Sequence, residues 1–177
     1  MQTILSQEAL NILAYSKEES MRAGDYAIST DHIMLGIIRH KDNNACRALA
    51  ALGVDVDQMK AELEKRIFRQ SSVPFGENDK VTFARSAQNT LNISIVEASI
   101  AGADRIVPAH LLLAVSASSG CKSIAYLKEH GVDHAVLSTY MKEHGMLSVK
   151  IIKTGQSPKN HPVSVLTLIS SPGKLPN

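Results

Sequence analysis

Ser29-Thr30-Asp31-His32-Ile33-Met34-Leu35-Gly36-Ile37-Ile38 is answered 78 residues later by Val107-Pro108-Ala109-His110-Leu111-Leu112-Leu113-Ala114-Val115-Ser116. Both stretches place a histidine just inside a helical start and follow it with an apolar run too broad for one face of an exposed helix. Each therefore predicts a buried central helix. The same offset holds outward in both directions: between Ser6 to Arg66 and Ala84 to His144, 14 of 61 paired positions are identical. They include Ala9/Ala87, Leu13/Leu91, Glu19/Glu97, Gly24/Gly102, Ile28/Ile106, His32/His110, Leu35/Leu113, Leu49/Leu127 and the run Gly53-Val54-Asp55 against Gly131-Val132-Asp133. Most of these are turn or core positions, so the duplication specifies an architecture before any chemistry.

Each copy reads as four helices. In the first, Ser6 caps a helix that runs to about Ala23 and stops at Gly24, a residue that tolerates the left-handed conformation past a helix end. Thr30 has the short hydroxyl side chain that satisfies free N–H groups at the start of a second helix, Asp31 to His40, and Asp31 adds a charge the helix dipole favours. Asn43 or Asn44 caps a third helix that Gly53 closes. Asp55-Val56-Asp57-Gln58 has the form of a capping box opening a fourth helix to about Arg69, with Val56, Met59, Leu63 and Ile67 on one stripe. The second copy repeats the plan with Ala84 to Ala101 before Gly102, Pro108 to Ser116, Cys121 to His130 before Gly131, and Asp133 capping a helix to His144. Pro108 stands where Thr30 stands, and proline suits a first turn because its missing N–H has no helical partner there.

The expected fold is all-α, with two tandem four-helix repeats packed as one pseudo-twofold domain, because each unit alone leaves an apolar face for the other to cover. Repeat one spans residues 4–69, a turn-rich linker 70–80 is read as no element of its own, repeat two spans 81–145, and 146–177 form a tail. In the tail SVKIIK and PVSVLTLI show β-branched alternation around a turn-prone TGQSPKNH, which predicts either an attached hairpin or a mobile tail.

A chain of 177 residues with 44% hydrophobic and 20% charged content suits one buried domain with some extra tail. No apolar stretch reaches membrane-spanning length and residues 1–6 lack a signal-peptide pattern, so the expectation is a cytoplasmic protein with no membrane span. Cys46 and Cys121 fall at non-equivalent repeat positions, which suits unpaired thiols in a reducing compartment. The net charge of +2 hides an acid-free tail carrying Lys150, Lys153, Lys159 and Lys174, which leaves the duplicated part near −2. With that charge, 4% aromatic content and no tryptophan, a nucleic-acid partner is not expected.

Catalytic chemistry is hard to find. His130 and His134 are four apart, but Gly131 and Asp133 break and restart the helix between them, and no zinc-type Cys or His spacing occurs, so neither a metal nor another cofactor is expected. No nucleophile motif surrounds a serine or cysteine. The phosphate-cradling Gly-x-x-x-x-Gly-Lys loop is also missing, so no nucleotide is expected. His32 and His110 are kept in both copies. A ring there can bond to a neighbouring loop and pack its apolar edge, or serve as an acid or base.

The stretch from Ser29 to Ile38 resembles the Thr-Glu-His-Ile-Leu-Leu-Gly-Leu signature of the N-terminal, or Clp repeat (Clp R), domain of Clp-family AAA+ ATPases. Ala45-Cys46-Arg47-Ala48-Leu49-Ala50-Ala51-Leu52-Gly53-Val54 and Ser123-Ile124-Ala125-Tyr126-Leu127-Lys128-Glu129-His130-Gly131-Val132 are similar to that family's third-helix pattern, and the likeness covers about residues 4–145. It implies a non-catalytic module that docks substrates or adaptors, or acts as an accessory factor, for a Clp unfoldase or its protease. Its partners would be a Clp-family ATPase or protease, adaptors or client proteins. In some relatives the acid of the Thr-Glu-His motif takes part in recognising phosphorylated arginine. The matching positions are Thr30 and Asp31 in copy one, while Pro108 and Ala109 leave copy two without the acid. Gly24, His32, Gly53, Gly102, Pro108, His110 and Gly131 match as structural signature. No ATPase module follows, so the chain is expected to stand alone or to represent a truncated or degenerate ATPase subunit. Two other readings are a small enzyme using His32 or His110, and a regulatory binder docking through its basic tail.

Overall fold

A computed structural model describes residues 4–69, 71–148 and 163–170. The first unit holds β1 (Ile4–Leu5), α1 (Gln7–Arg22), β2 (Ala27–Ile28), α2 (Thr30–Arg39), α3 (Asn44–Ala51) and α4 (Val56–Ile67). The second holds β3 (Thr82–Phe83), α5 (Arg85–Ile100), β4 (Arg105–Ile106), α6 (Pro108–Ala117), α7 (Lys122–Glu129) and α8 (His134–Glu143), and α9 (Val165–Ser170) lies beyond. Ser6 accepts from the backbone N–H of Ala9, Asn43 from that of Cys46, Asp55 from those of Asp57 and Gln58, and Asp133 from that of Val136. Four of the helix starts are thus fixed locally by short polar side chains.

The central helices are the interior. Every residue of α2 from Thr30 to Ile38 and of α6 from Pro108 to Ser116 is buried, and the two helices pack against each other. Ile33, Met34, Ile37, Ile38, Leu111, Leu112 and Leu113 are fully enclosed, each contributing about 1.5–3 kcal/mol of transfer free energy. They belong to one continuous apolar cluster drawn from both repeats.

Four two-residue strands, not anticipated from the sequence, tie the repeats together. β1 pairs in parallel with β4, Ile4 opposite Arg105 and Leu5 opposite Ile106, and β2 pairs in parallel with β3, Ala27 opposite Thr82 and Ile28 opposite Phe83. The 78-residue offset converts one set of pairs into the other. Each repeat therefore lends its leading strand to the other in the same register, which is the expected pseudo-twofold arrangement.

Three local expectations are corrected. Ser29, not Thr30, caps α2: its side chain accepts from the His32 N–H, and the His32 ring accepts from the Ser29 N–H, which makes Thr30 the first helical residue. The segment expected to carry no element contains a 3-10 helix, Phe75–Lys80, and it buries Val73, whose N–H donates to the Met21 carbonyl. The described part of PVSVLTLI, residues 163–169, does not extend as a strand. Ser164 makes one antiparallel bridge to Ile4, then Val165–Ser170 coil into α9, because turning lets Val165 and Leu168, three apart, reach the core together. Its proposed hairpin partner, residues 149–153, lies outside the described residues.

Candidate functional site

The start of α2 is the position that the family resemblance offers for a ligand. Thr30 and Asp31 there both meet the second repeat. Thr30 is 2% exposed and its hydroxyl meets that of Thr90 at 2.9 Å, which in turn meets Ser118 Oγ at 2.7 Å. Asp31 is 8% exposed, and its carboxylate accepts from Lys122 N at 3.1 Å, Ser123 N at 2.8 Å and Ser123 Oγ at 2.6 Å. Those N–H groups open α7, whose own cap residue, Cys121, supplies no side-chain bond. An acid from one repeat thus satisfies the free donors, and the positive dipole end, of a helix in the other.

The mirrored corner is built differently. Asn43, at the position equivalent to Cys121, caps α3 from within and also donates to the Ile37 carbonyl at 3.1 Å. Ala109, equivalent to Asp31, is fully buried there. The two divergences therefore compensate: where the helix lost its own cap the other repeat kept an acid, and where it kept its cap an alanine suffices.

His32 and His110 hold the first turns of the central helices. His110 Nδ1 accepts from the Val107 N–H at 3.0 Å, so Nε2 carries the proton and donates to the Leu147 carbonyl at 2.9 Å. His32 Nδ1 accepts from the Ser29 N–H at 2.9 Å. Burial pushes the pKa of both rings down. Asp25, Asp31 and Glu19 oppose the shift at His32, and the Leu147 bond and Glu97 oppose it at His110. Pro108 occupies the first position of α6, and Gly24, Gly53, Gly102 and Gly131 all adopt left-handed φ just past helix ends.

A second location, with no motif to mark it in the sequence, lies between α5 and α8. A cavity of about 480 Å³ is lined by Glu97, Ile100, Ala101, His134, Lys142 and Leu147 among others, and Glu97 Oε1 meets His134 Nε2 at 2.6 Å. The signal was in the alignment of the copies, because Glu97 matches Glu19 while its charged neighbours do not match. Among the described residues no group of three or more His, Cys, Asp or Glu side chains could hold a metal ion, and no helix is long and apolar enough to cross a membrane.

The model of the Clp repeat (R) N-terminal domain family matches residues 4–130. The chain belongs to this family. As a Clp repeat domain it is 32% identical over 108 residues to the chaperone protein ClpB of Oceanobacillus iheyensis, and 30% identical over 108 residues to the negative regulator of genetic competence ClpC/MecB of Bacillus subtilis. Each match covers 61% of this Clp repeat domain chain, which spans only 13% of the length of either relative. The Hsp104 N-terminal domain from Candida albicans superposes with a TM-score of 0.65 at 12% identity, covering 81% of this chain and 93% of that one, so the fold is shared where the sequences have drifted apart.

Proposed function

We propose that this Clp repeat domain is a non-catalytic docking module that receives substrate or adaptor proteins for a Clp unfoldase and its protease in the cytoplasm. The observation that carries the reading is family membership across residues 4–130. It is supported by what the polar side chains at the starts of the two central helices do: Asp31 caps α7 and the two imidazoles hold the first turns of α2 and α6. Those groups maintain a rigid platform, and recognition falls to outward-facing surface. Thr30 and Asp31 could contact a ligand only by releasing Thr90, Lys122 and Ser123, so in this reading they position the platform rather than touch the partner.

The test is co-purification of the tagged full chain from lysate, read for a Clp ATPase or protease. Recovery of either at near-stoichiometric yield is the expected result. Recovery of neither, with clean binding to an unrelated protein, overturns the reading.

A further inference from the structure

The two repeats use the same carboxylate differently. In repeat one Glu19 is 4% exposed and receives the Arg22 guanidinium, Nη2 at 2.9 Å and Nε at 3.3 Å, while the same guanidinium reaches Glu64 on α4. Burial works against the charge on Arg22, but Glu19 and Glu64 outweigh it and raise its pKa. The Arg22 side chain thereby bridges α1 and α4. At the offset of 78, Glu19 becomes Glu97, Arg22 becomes Ile100 and Glu64 becomes Lys142. The acid stays and its internal guanidinium is gone. The groove between α5 and α8 is the open cavity of about 480 Å³, with Ile100 71% exposed at its rim. The Glu97 side chain is only 14% exposed, and it meets a half-exposed imidazole, His134.

We propose that this groove binds an arginine side chain from a partner segment that carries an acidic residue beside it. Repeat one supplies the template: the ligand's guanidinium takes the place that Arg22 takes over Glu19, where two of its N–H groups converge on one carboxylate oxygen in a charge-assisted pair. Its methylenes lie along Ile100 and Leu147, which line the cavity. His134, 39% exposed, yields to solvent as the guanidinium enters. Lys142, in place of Glu64, reverses the sign on the far wall and attracts the neighbouring acid of the partner. The docking reading supplies only the source of that arginine, an adaptor or client segment.

The experiment is an NMR titration of the full chain with the blocked dipeptide Ac-Arg-Glu-NH2. Ac-citrulline-Glu-NH2 serves as the uncharged isostere, and both are repeated on Ile100→Arg and Glu97→Gln. Expected are saturable shifts confined to residues 97–102 and 134–148, at least tenfold weaker binding of the citrulline peptide, and loss of binding in both variants. Ile100→Arg restores the internal guanidinium at an exposed position, so it blocks the site without threatening the fold even if Glu97→Gln disturbs it. Equal binding of the citrulline peptide, undiminished binding by Ile100→Arg, or no localised shifts overturns the proposal. This titration reads the groove without any Clp protein present, so its failure is distinguishable from failure of the docking reading.

Discussion

Asp31 of the first repeat caps the helix that Lys122 begins in the second, with its carboxylate 2.8 Å from Ser123 N and 2.6 Å from Ser123 Oγ. Capping usually acts within a few residues of the helix it serves. Here it spans 92 residues and joins the repeats.

Removing that cap should destabilise the whole domain. Asp31→Ala leaves the Lys122 and Ser123 N–H groups without their acceptor, at a cost of about 1–3 kcal/mol. Adding Cys121→Asn in the same chain copies the Asn43 arrangement and should recover about 1 kcal/mol. Urea unfolding of wild type, both single variants and the double variant checks this. Strict additivity would show that the two caps are not interchangeable.

Acid should weaken the fold in a defined window. The folded pKa of His32 and His110 lies below the ordinary 6.5 because both rings are buried. Above pH 6.5 both states are neutral and the contribution is complete. As pH falls through that value toward the folded one, the unfolded rings take protons that the folded rings refuse, and stability drops by at most about 1.4 kcal/mol per pH unit for each ring. Denaturant midpoints between pH 7.5 and 5 should fall accordingly. His110→Gln should start lower, having lost its ring, and fall less steeply.

Gly24 and Gly102 match in the alignment but should differ on substitution. Both have left-handed φ, +82° and +65°. A Cβ on Gly24 would lie 2.1 Å from the Ser71 carbonyl oxygen, whereas on Gly102 it would meet nothing within 4 Å. Gly102→Ala should cost about 1–2 kcal/mol, the backbone penalty alone. Gly24→Ala should cost more, because the linker backbone has to move. Thermal melts of the two variants give the comparison, and equal losses would mean that the linker yields freely.

The two thiols should react at different rates. Cys46 is 5% exposed and donates to the Ile37 carbonyl, and burial pushes its pKa up to about 11. Cys121 is half-buried and so more accessible, and burial raises its pKa as well. Labelling at pH 8 with a maleimide, followed by peptide mapping, should modify Cys121 first and Cys46 only as the fold opens.

The helices were legible because their signals are local. Ser6, Gly24, Gly53, Asp133 and Pro108 act on backbone groups a few residues away, and the breadth of the apolar runs in α2 and α6 reports their burial. Ser29 was passed over as the α2 cap because its reciprocal partner is a histidine, where the usual capping box has Glu or Gln. The paired strands escaped for another reason. Two-residue segments such as Ile4–Leu5 have no period to read, and only the approach of Arg105–Ile106 makes them strands. The α9 segment was misread because β-branched alternation near a chain terminus fits a strand locally, while the core it meets rewards two side chains three apart.

The sequence by itself determined the helices, their stops and the pseudo-twofold plan, since duplication and turn chemistry require no knowledge of what lies across the interface. Tertiary structure alone decided what the unmatched polar residues do. In one dimension Asp31 reads either as a first-turn acid favoured by the helix dipole or, by resemblance, as a ligand contact beside Thr30, and only packing brings Thr90 and the bare start of α7 against the pair. The same packing brought Glu97 to an open groove and Glu19 under Arg22, because a carboxylate's role is set by the charges that surround it in space.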